Sequence, residues 1–414
     1  MTFRIFFISV FFLQHFISCA QKKPLGHSVS GLSKIIPAAE RLDLYLPMLI
    51  NKRVAIFANN TSMVGSTHLV DTLLKKGVQI KKIFAPEHGF RGTADAGEKV
   101  GNMKDPGTGI DIISLYGKKR KPSKADLEDV DLIVFDIQDV GARFFTYISS
   151  LEELSESAFE FGKPLIVLDR PNPNGFYVDG PVLKQAYRSF VGSQQIPVVY
   201  GMTIGEYISM YFGEKWMDST VQNKIPSGKT SFSLKIIPCD GYTHKSRYLL
   251  PFKPSPNLPD MASVYLYPST CFFEGTALSE GRGTDRPFQV FGHPSLPDSL
   301  YTFTVKSLPG AKSPKLLDST CHGWDLGGPV DSVFAKVNGQ IQLKWLITAY
   351  DLFPRKDSFF INKGANFNRL AGTEELKAQI VRQDSEESIR GSWQPALEKF
   401  KAIRKKYLLY PDFE

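Results

Sequence analysis

The feature that most constrains this chain is a series of short apolar runs, each closing on polar side chains. They lie at residues 53–58, 79–85, 111–115, 131–136 and 164–169. Runs this short that are apolar throughout, without strict alternation, are expected as strands buried on both faces. Between them the spacing predicts helices. One spans 66–76, with Leu69, Leu73 and Leu74 on one face and Gly77 as its stop. Another spans 145–161. Strands alternating with helices imply an α/β fold with a mostly parallel sheet covered on both sides.

The polar ends of these runs carry the functional expectation. They are Asn59-Asn-Thr-Ser62, Pro86-Glu-His-Gly-Phe-Arg-Gly92, Asp136-Ile-Gln-Asp139 and Asp169-Arg-Pro-Asn172. Open parallel sheets bind ligands beyond the carboxyl ends of their strands. Glu87, Gln138, Asp139, Asp169 and Arg170 are therefore expected along one edge of the sheet. The second half is less regular. Helices are predicted over 203–212, 341–353 and 393–407, and a strand over 232–237. A proline-rich stretch, 251–259, must be an extended loop. Residues 267–285 are dense in Gly, Glu and Thr. The change of character between about 235 and 250 divides a Rossmann-like half, 39–240, from a smaller α+β half, 241–414, that completes a cleft.

Composition excludes several classes. With 414 residues, 42% apolar and 22% charged, the chain is globular. Its net charge of +8 is spread out, and the basic runs at 118–121 and 404–406 are short. A nucleic-acid binder concentrates such charge in a stripe, so no nucleic-acid partner is expected. The first residues read as an export signal: Arg4, an apolar stretch, then small residues up to Cys19. Cys19 stands where a lipoprotein signal places its lipidated cysteine. Residues 1–19 are thus expected to be a signal of lipoprotein type and 20–38 a linker. The protein would be exported, periplasmic or outer-membrane-associated, touching membrane only through Cys19. Cys239, Cys271 and Cys321 match no zinc spacing and read as small buried apolar residues.

No G-x-G-x-x-G follows the first strand, and neither a phosphate loop, an H-E-x-x-H nor a G-x-S-x-G elbow is present. His88 reads as a structural residue rather than a metal ligand, so neither metal nor cofactor is expected. What remains is carboxylates near aromatic, amide and arginine side chains. Glycoside cleavage needs an acid to protonate the leaving oxygen and usually a second carboxylate. From the residues alone, Glu87 reads equally as such an acid and as a turn cap or ion-pair partner of Arg91. Asp136 and Asp139 follow, with an Asp139–Arg143 ion pair as the plain alternative. Glu274 and Glu280 flank a glycine-rich loop carrying Arg282, and Arg282 and Arg286 could fork a carboxylate.

These stretches, with Ala96-Gly-Glu-Lys-Val100, 134–148, 167–175, Pro254-Ser-Pro-Asn-Leu-Pro259, 273–284 and Arg369-Leu-Ala-Gly-Thr373, resemble the exo-β-N-acetylmuramidase (NamZ-type) family, formerly a domain of unknown function. The likeness runs from about residue 40 to the C-terminus. The chain departs from it at Asn59-Asn-Thr-Ser-Met63, where the family more often has a T-N-P-T-G-like turn. The resemblance implies a Rossmann-like domain, a smaller second domain and release of N-acetylmuramic acid from the non-reducing end of peptidoglycan-derived saccharides. It maps the family's leading catalytic glutamate onto Glu87, with Asp139 or Glu280 assisting. Around the substrate it suggests His88, Arg91, Gln138, Arg143, Tyr147, Asp169, Arg170, Asn172, Glu274, Arg282 and Thr284. The lactyl carboxylate of the sugar suits an arginine fork, and Phe90, Tyr116 and Tyr147 offer faces for stacking. The other class in view is a lipid-anchored sugar-binding protein without turnover.

Overall fold

The computed structural model describes residues 34–91, 101–223 and 231–414. The expected signal, Cys19, most of the linker and the 96–100 stretch lie outside these residues. Residues 35–414 form one compact unit.

The apolar runs are strands: β1 (Arg53–Ala58), β4 (Gln79–Ala85), β6 (Asp111–Ser114), β7 (Leu132–Asp136) and β8 (Leu165–Leu168), joined by β9 (Leu234–Ile237). Between β1 and β4 lies a small hairpin of β2 (Met63–Val64) and β3 (Thr67–His68), and β5 (Met103–Lys104) precedes β6. The sheet order is β5-β6-β4-β1-β7-β8-β9. All pairs are parallel except β5 with β6, which forms an antiparallel edge. The chain therefore builds outward from β1 through β4 to β6, then returns with β7 on the other side of β1. This reversal of strand order opens a crevice at the carboxyl ends of β1, β4 and β7.

Alternate residues of the strands feed two cores. Val54, Ile56, Ile83, Val134 and Ile166 face one side. Ala55, Phe57, Phe84, Ile133, Phe135 and Val167 face the other, whose core continues without a break into the second half as far as Phe400. That half contributes a three-stranded antiparallel sheet, β10 (Val290–His293), β12 (Thr320–Asp325) and β11 (Tyr301–Thr304), set among helices. Cys239, Cys271 and Cys321 are buried and unpaired. No helix among the described residues is long and apolar enough to cross a membrane.

Two helices differ from their predicted limits for local reasons. The helix expected over 66–76 begins at Leu69, because residues 63–68 form the hairpin and His68 then caps the helix by accepting from Val70 N–H at 3.2 Å. The terminal helix spans Glu386–Arg404, starting earlier than its aromatic stripe suggests, because Ser385 accepts from Ser388 N–H and acids fill the first turn.

Several polar residues expected at the site hold the scaffold instead. Asp169 is fully buried after β8. It accepts from Thr203 Oγ1 at 2.7 Å, Gly205 N–H at 2.8 Å and Tyr410 OH at 2.6 Å. Burial pushes its carboxyl up to about 6, against the pull of these donors. Arg170 forks onto Asp136 at 2.6 and 2.8 Å, both side chains shut from water. Arg143 is corrected most clearly. Wholly buried and facing no carboxylate, it gives Nη1 to the carbonyls of Pro181 and Ile196 and Nη2 to that of Leu370. Its Nε is buried and has no partner among the described residues, so no donor of Arg143 reaches water where a substrate anion could meet it. Burial alone lowers its pKa to about 9.

Arg143→Ala would take the side-chain donor from the Pro181 and Leu370 carbonyls, while Ile196 C=O would keep Leu183 N–H at 3.1 Å. Each unsatisfied group costs about 1–3 kcal/mol, so a total loss of at least about 2 kcal/mol is expected. A fall in the urea midpoint with unchanged slope would register it; a midpoint equal to wild type would show that Arg143 is not a fastening.

Candidate active site

The crevice at the switch point holds a small pocket lined by Glu87, His88, Thr146, Tyr147, Ser255, Tyr267 and Arg282, with Phe144, Phe145, Leu258 and Phe288 as its apolar wall. Glu87 is presented by a turn directly after β4. Gly89 N–H closes this turn on Pro86 C=O at 3.0 Å. His88, at φ 68°, takes its left-handed third position, where glycine is the usual occupant. A non-glycine residue there costs roughly 1–2 kcal/mol, and such strain gathers at functional sites.

The Glu87 carboxylate is held at both oxygens. Oε1 accepts from Tyr116 OH at 2.8 Å and Oε2 from Thr146 Oγ1 at 3.1 Å. Burial and the Glu87 charge both push the Tyr116 phenol upward, so it stays protonated as a donor. Tyr116 was expected as a stacking face, but its hydroxyl is the feature in use. Phe90 is buried edge-on against His68 and presents no face to the crevice. Tyr147 does line the pocket, fixed by accepting from Asn59 Nδ2 at 2.9 Å and donating to Pro254 C=O at 3.2 Å.

Opposite in charge to Glu87 is Arg282, carried by the glycine-rich loop. Gly281 and Gly283 both have φ above 80°, and a Cβ on Gly283 would sit 2.5 Å from Lys306 C=O. That fixes the loop and aims Arg282 between two glutamates, Glu274 at 2.8 Å and Glu280 at 3.8 Å. Lys315, which the sequence did not flag, pairs with Glu280 at 2.9 Å. The two carboxyls are driven apart. Burial raises Glu274; Arg282 and Lys315 oppose, while the Glu280 and Glu87 charges add to the rise. Burial opposes ionisation of Glu280 too, but Lys315 and Arg282 prevail and hold it low. Glu274 thus feels Glu87, and its side chain retains 28% exposure against 4% for Glu280.

The remaining expected residues shape the loops. Asp139 is almost fully buried, with Oδ2 accepting from Gly141 N–H and from Tyr200 OH, and burial raises it to about 6. Gln138 donates to the carbonyls of Asp139 and Pro171. Asn172 donates to Met202 C=O and packs so closely on Gly141 that a Cβ there would lie 2.3 Å from its Oδ1. Thr284 Oγ1 donates to Gly281 C=O within its own loop. Neither Glu280, paired with Arg282 and Lys315, nor Glu274 is among the residues lining the pocket. Asp139, Gln138, Asn172, Thr284, Asp169, Arg170 and Arg143 do not line it either. Arg91, beside the pocket, pairs with the buried Asp105 at 2.7 Å yet keeps half its side chain exposed. With Asn60, Phe252, Lys253 and Pro256 it lines a neighbouring hollow of about 400 Å³. Among the described residues no cluster of His, Cys, Asp and Glu is arranged to hold a metal ion.

Comparison with known proteins gives the family and the fold. Residues 54–262 match the family model for the N-terminal part of the exo-β-N-acetylmuramidase NamZ, and residues 265–410 match that for its C-terminal part. The chain is 38% identical over 410 residues to the peptidoglycan β-N-acetylmuramidase NamZ of Bacillus subtilis (strain 168), covering 94% of this chain and 92% of that one. Two crystal structures of DUF1343 family proteins from Bacteroides fragilis NCTC 9343 share the fold. One has a TM-score of 0.81 at 44% identity, covering 92% of this chain and all of that one. The other has 0.73 at 28%, covering 91% and 99%.

Proposed function

The chain belongs to the NamZ exo-β-N-acetylmuramidase family, and from that premise we propose how its own residues perform the reaction. The protein is a glycosidase that releases N-acetylmuramic acid from the non-reducing end of peptidoglycan-derived saccharides. The observation that carries the residue assignment is Glu87: a carboxylate on a strained turn, open to the pocket, with both oxygens oriented by hydroxyl donors.

Glu87 gives its proton to the departing glycosidic oxygen, which leaves as a hydroxyl, and Glu87 is then reprotonated by water. Tyr116 and Thr146 hold it in one orientation, as a group shuttling a proton requires. Glu274 is the second carboxyl. It is the more exposed of the pair around Arg282, and it responds to the Glu87 charge. As a carboxylate it would stabilise the positive charge that develops on the sugar or activate the entering water. Arg282, already neutralised by Glu274 and Glu280, positions Glu274. The lactyl carboxylate falls to Arg91 and Lys253, since their hollow joins the pocket through the 86–91 turn and the 252–258 loop. The aromatic wall of Phe144, Phe145, Tyr147 and Tyr267 gives the sugar ring an apolar bed. Export through residues 1–19, with a lipid on Cys19, would bring the enzyme to its cell-wall substrate.

Glu87→Gln is expected to lower kcat on a chromogenic N-acetylmuramic acid glycoside by at least about 10²-fold, the scale of general acid catalysis. Turnover at the wild-type rate would remove Glu87 from the chemistry. Glu274 gives a pH signature. If its ionised form is the active one, activity rises with pH through a pKa held above the usual carboxylate range. The acid limb of kcat/KM should then vanish in Glu274→Gln while persisting in Glu280→Gln; an acid limb retained in Glu274→Gln would exclude Glu274 from that limb. For the anchor, Cys19→Ala should move the protein from the membrane to the soluble fraction and abolish labelling by a fatty-acid analogue. Unchanged fractionation and labelling would refute lipidation.

A further inference from the structure

A second cavity, of about 390 Å³, has no part in the scheme above. That volume falls within the range of small-molecule sites, roughly 300–1,000 Å³. It shares its supports with Glu87. The helix Tyr147–Glu160 starts just after Thr146, whose hydroxyl meets Glu87. Further along, Ser149, Glu153 and Glu156 line the cavity at helical spacings of three and four residues. From Thr146 to Glu156 is about 15 Å of helix, so the cavity-lining residues follow one helix face away from the residue that holds Glu87. The other wall is tied to Glu87 as well. Tyr116, which donates to Glu87, packs on Phe190 with ring centroids 6.3 Å apart, and Arg120 lies 4.4 Å over the Phe190 ring.

The cavity's chemistry differs from that of the hollow beside Arg91. There Arg91 and Lys253 are the charged residues, as an anion requires. Here Arg120, Lys121 and Arg188 face Glu152, Glu153, Glu156 and Asp218. Lys121 and Glu156 are paired at 3.2 Å, and Glu152 is satisfied by Ser193, Gln194 and Tyr207. Interleaved forks of both signs around a half-exposed aromatic ring suit a neutral polyhydroxylated ring, whose hydroxyls both donate and accept. Ser149 adds an independent sign of a missing ligand. Its side chain is 2% exposed, lines the cavity, and its hydroxyl has no partner among the described residues.

We infer that this cavity is the leaving-side subsite, holding the neutral N-acetylated hexosamine released when the terminal N-acetylmuramic acid is cut. The inference rests on the function proposed above. An exo-acting enzyme that fills the Glu87 pocket with the terminal sugar must seat the rest of the saccharide close to Glu87, and this cavity is tied to Glu87 on two walls, through Thr146 and Tyr116. Contacts there act on the aglycone, so they distinguish a sugar leaving group from a synthetic one.

The test compares kcat/KM for an N-acetylmuramyl–N-acetylglucosamine disaccharide with that for a 4-nitrophenyl N-acetylmuramic acid glycoside. Both are measured in wild type and in Arg120→Ala, Arg188→Ala and the double variant. Arg120 and Arg188 are exposed, so loss of the fold is not the expected result; circular dichroism checks it. The disaccharide-to-nitrophenyl ratio should fall by about 10-fold or more in the double variant. A ratio equal to wild type would overturn the subsite. Failure of wild type to cleave either substrate would instead overturn the function from which the inference starts.

Discussion

The arrangement depends on one buried carboxylate. Asp169 closes β8 at the point where four parts of the chain must meet. Its side chain gathers the start of the Ile204–Gly213 helix through Thr203 and Gly205, and the C-terminal segment through Tyr410. Its main chain takes Ala38 N–H from the first described segment and reaches Ile237 in β9. A carboxylate is taken out of water at considerable cost unless donors surround it. The donors come from residues far apart in sequence, so satisfying Asp169 and closing the fold are one event. Arg170, next in the chain, then forks onto Asp136 at the end of β7 and joins the two twin strands at their functional ends.

That fastening lets the neighbouring turn carry strain. The crevice lies where strand order reverses, so the loops after β1, β4 and β7 lean on one another rather than on solvent. Asn59 bonds Tyr147, Thr61 accepts from Gln138 N–H, and Ser62 reaches Asp136 C=O. With these loops tied down, His88 can be kept in a left-handed conformation and Glu87 can face the pocket. The expected polar residues after β1, β7 and β8 hold these loops stiff. Stiffness of this kind is what holds a proton-transfer group within reach of its target.

Sequence patterns revealed the sheet almost completely, because a strand buried on both faces writes its burial directly into its residues. The run at 131–136 has no other stable use. Loops were legible only as places. Glu87 stood out because it follows an apolar strand and precedes glycine, and the strand order delivers it to the crevice. Its partners did not stand out. Thr146 is an ordinary residue before a helix, and Tyr116 offers a ring and a hydroxyl with nothing in sequence to say which is used. Nor could the spacing rank Glu274 above Glu280 and Asp139. The ranking comes from Lys315, more than thirty residues away in the chain, and from Tyr200, brought to Asp139 by tertiary packing.

The arginines show why residue type alone misassigns a site. Arg91, Arg143, Arg170 and Arg282 are equivalent candidates for a sugar carboxylate when only the sequence is read. The fold has already committed most of their donors: Arg143 to three carbonyls, Arg170 to Asp136, and Arg282 to two glutamates. Arg91 is bonded to the buried Asp105 through Nη2, but half its side chain faces water, so it can meet a second anion without leaving the first. A guanidinium buried with its partners would have to abandon unsatisfied groups in order to bind, and that loss exceeds what a new contact returns. The net charge of +8 therefore says little about substrate. On the function proposed above, an anion would be selected by the small subset of cations still facing water beside Glu87, and the mixed-charge cavity along the neighbouring helix would be left to the neutral sugar.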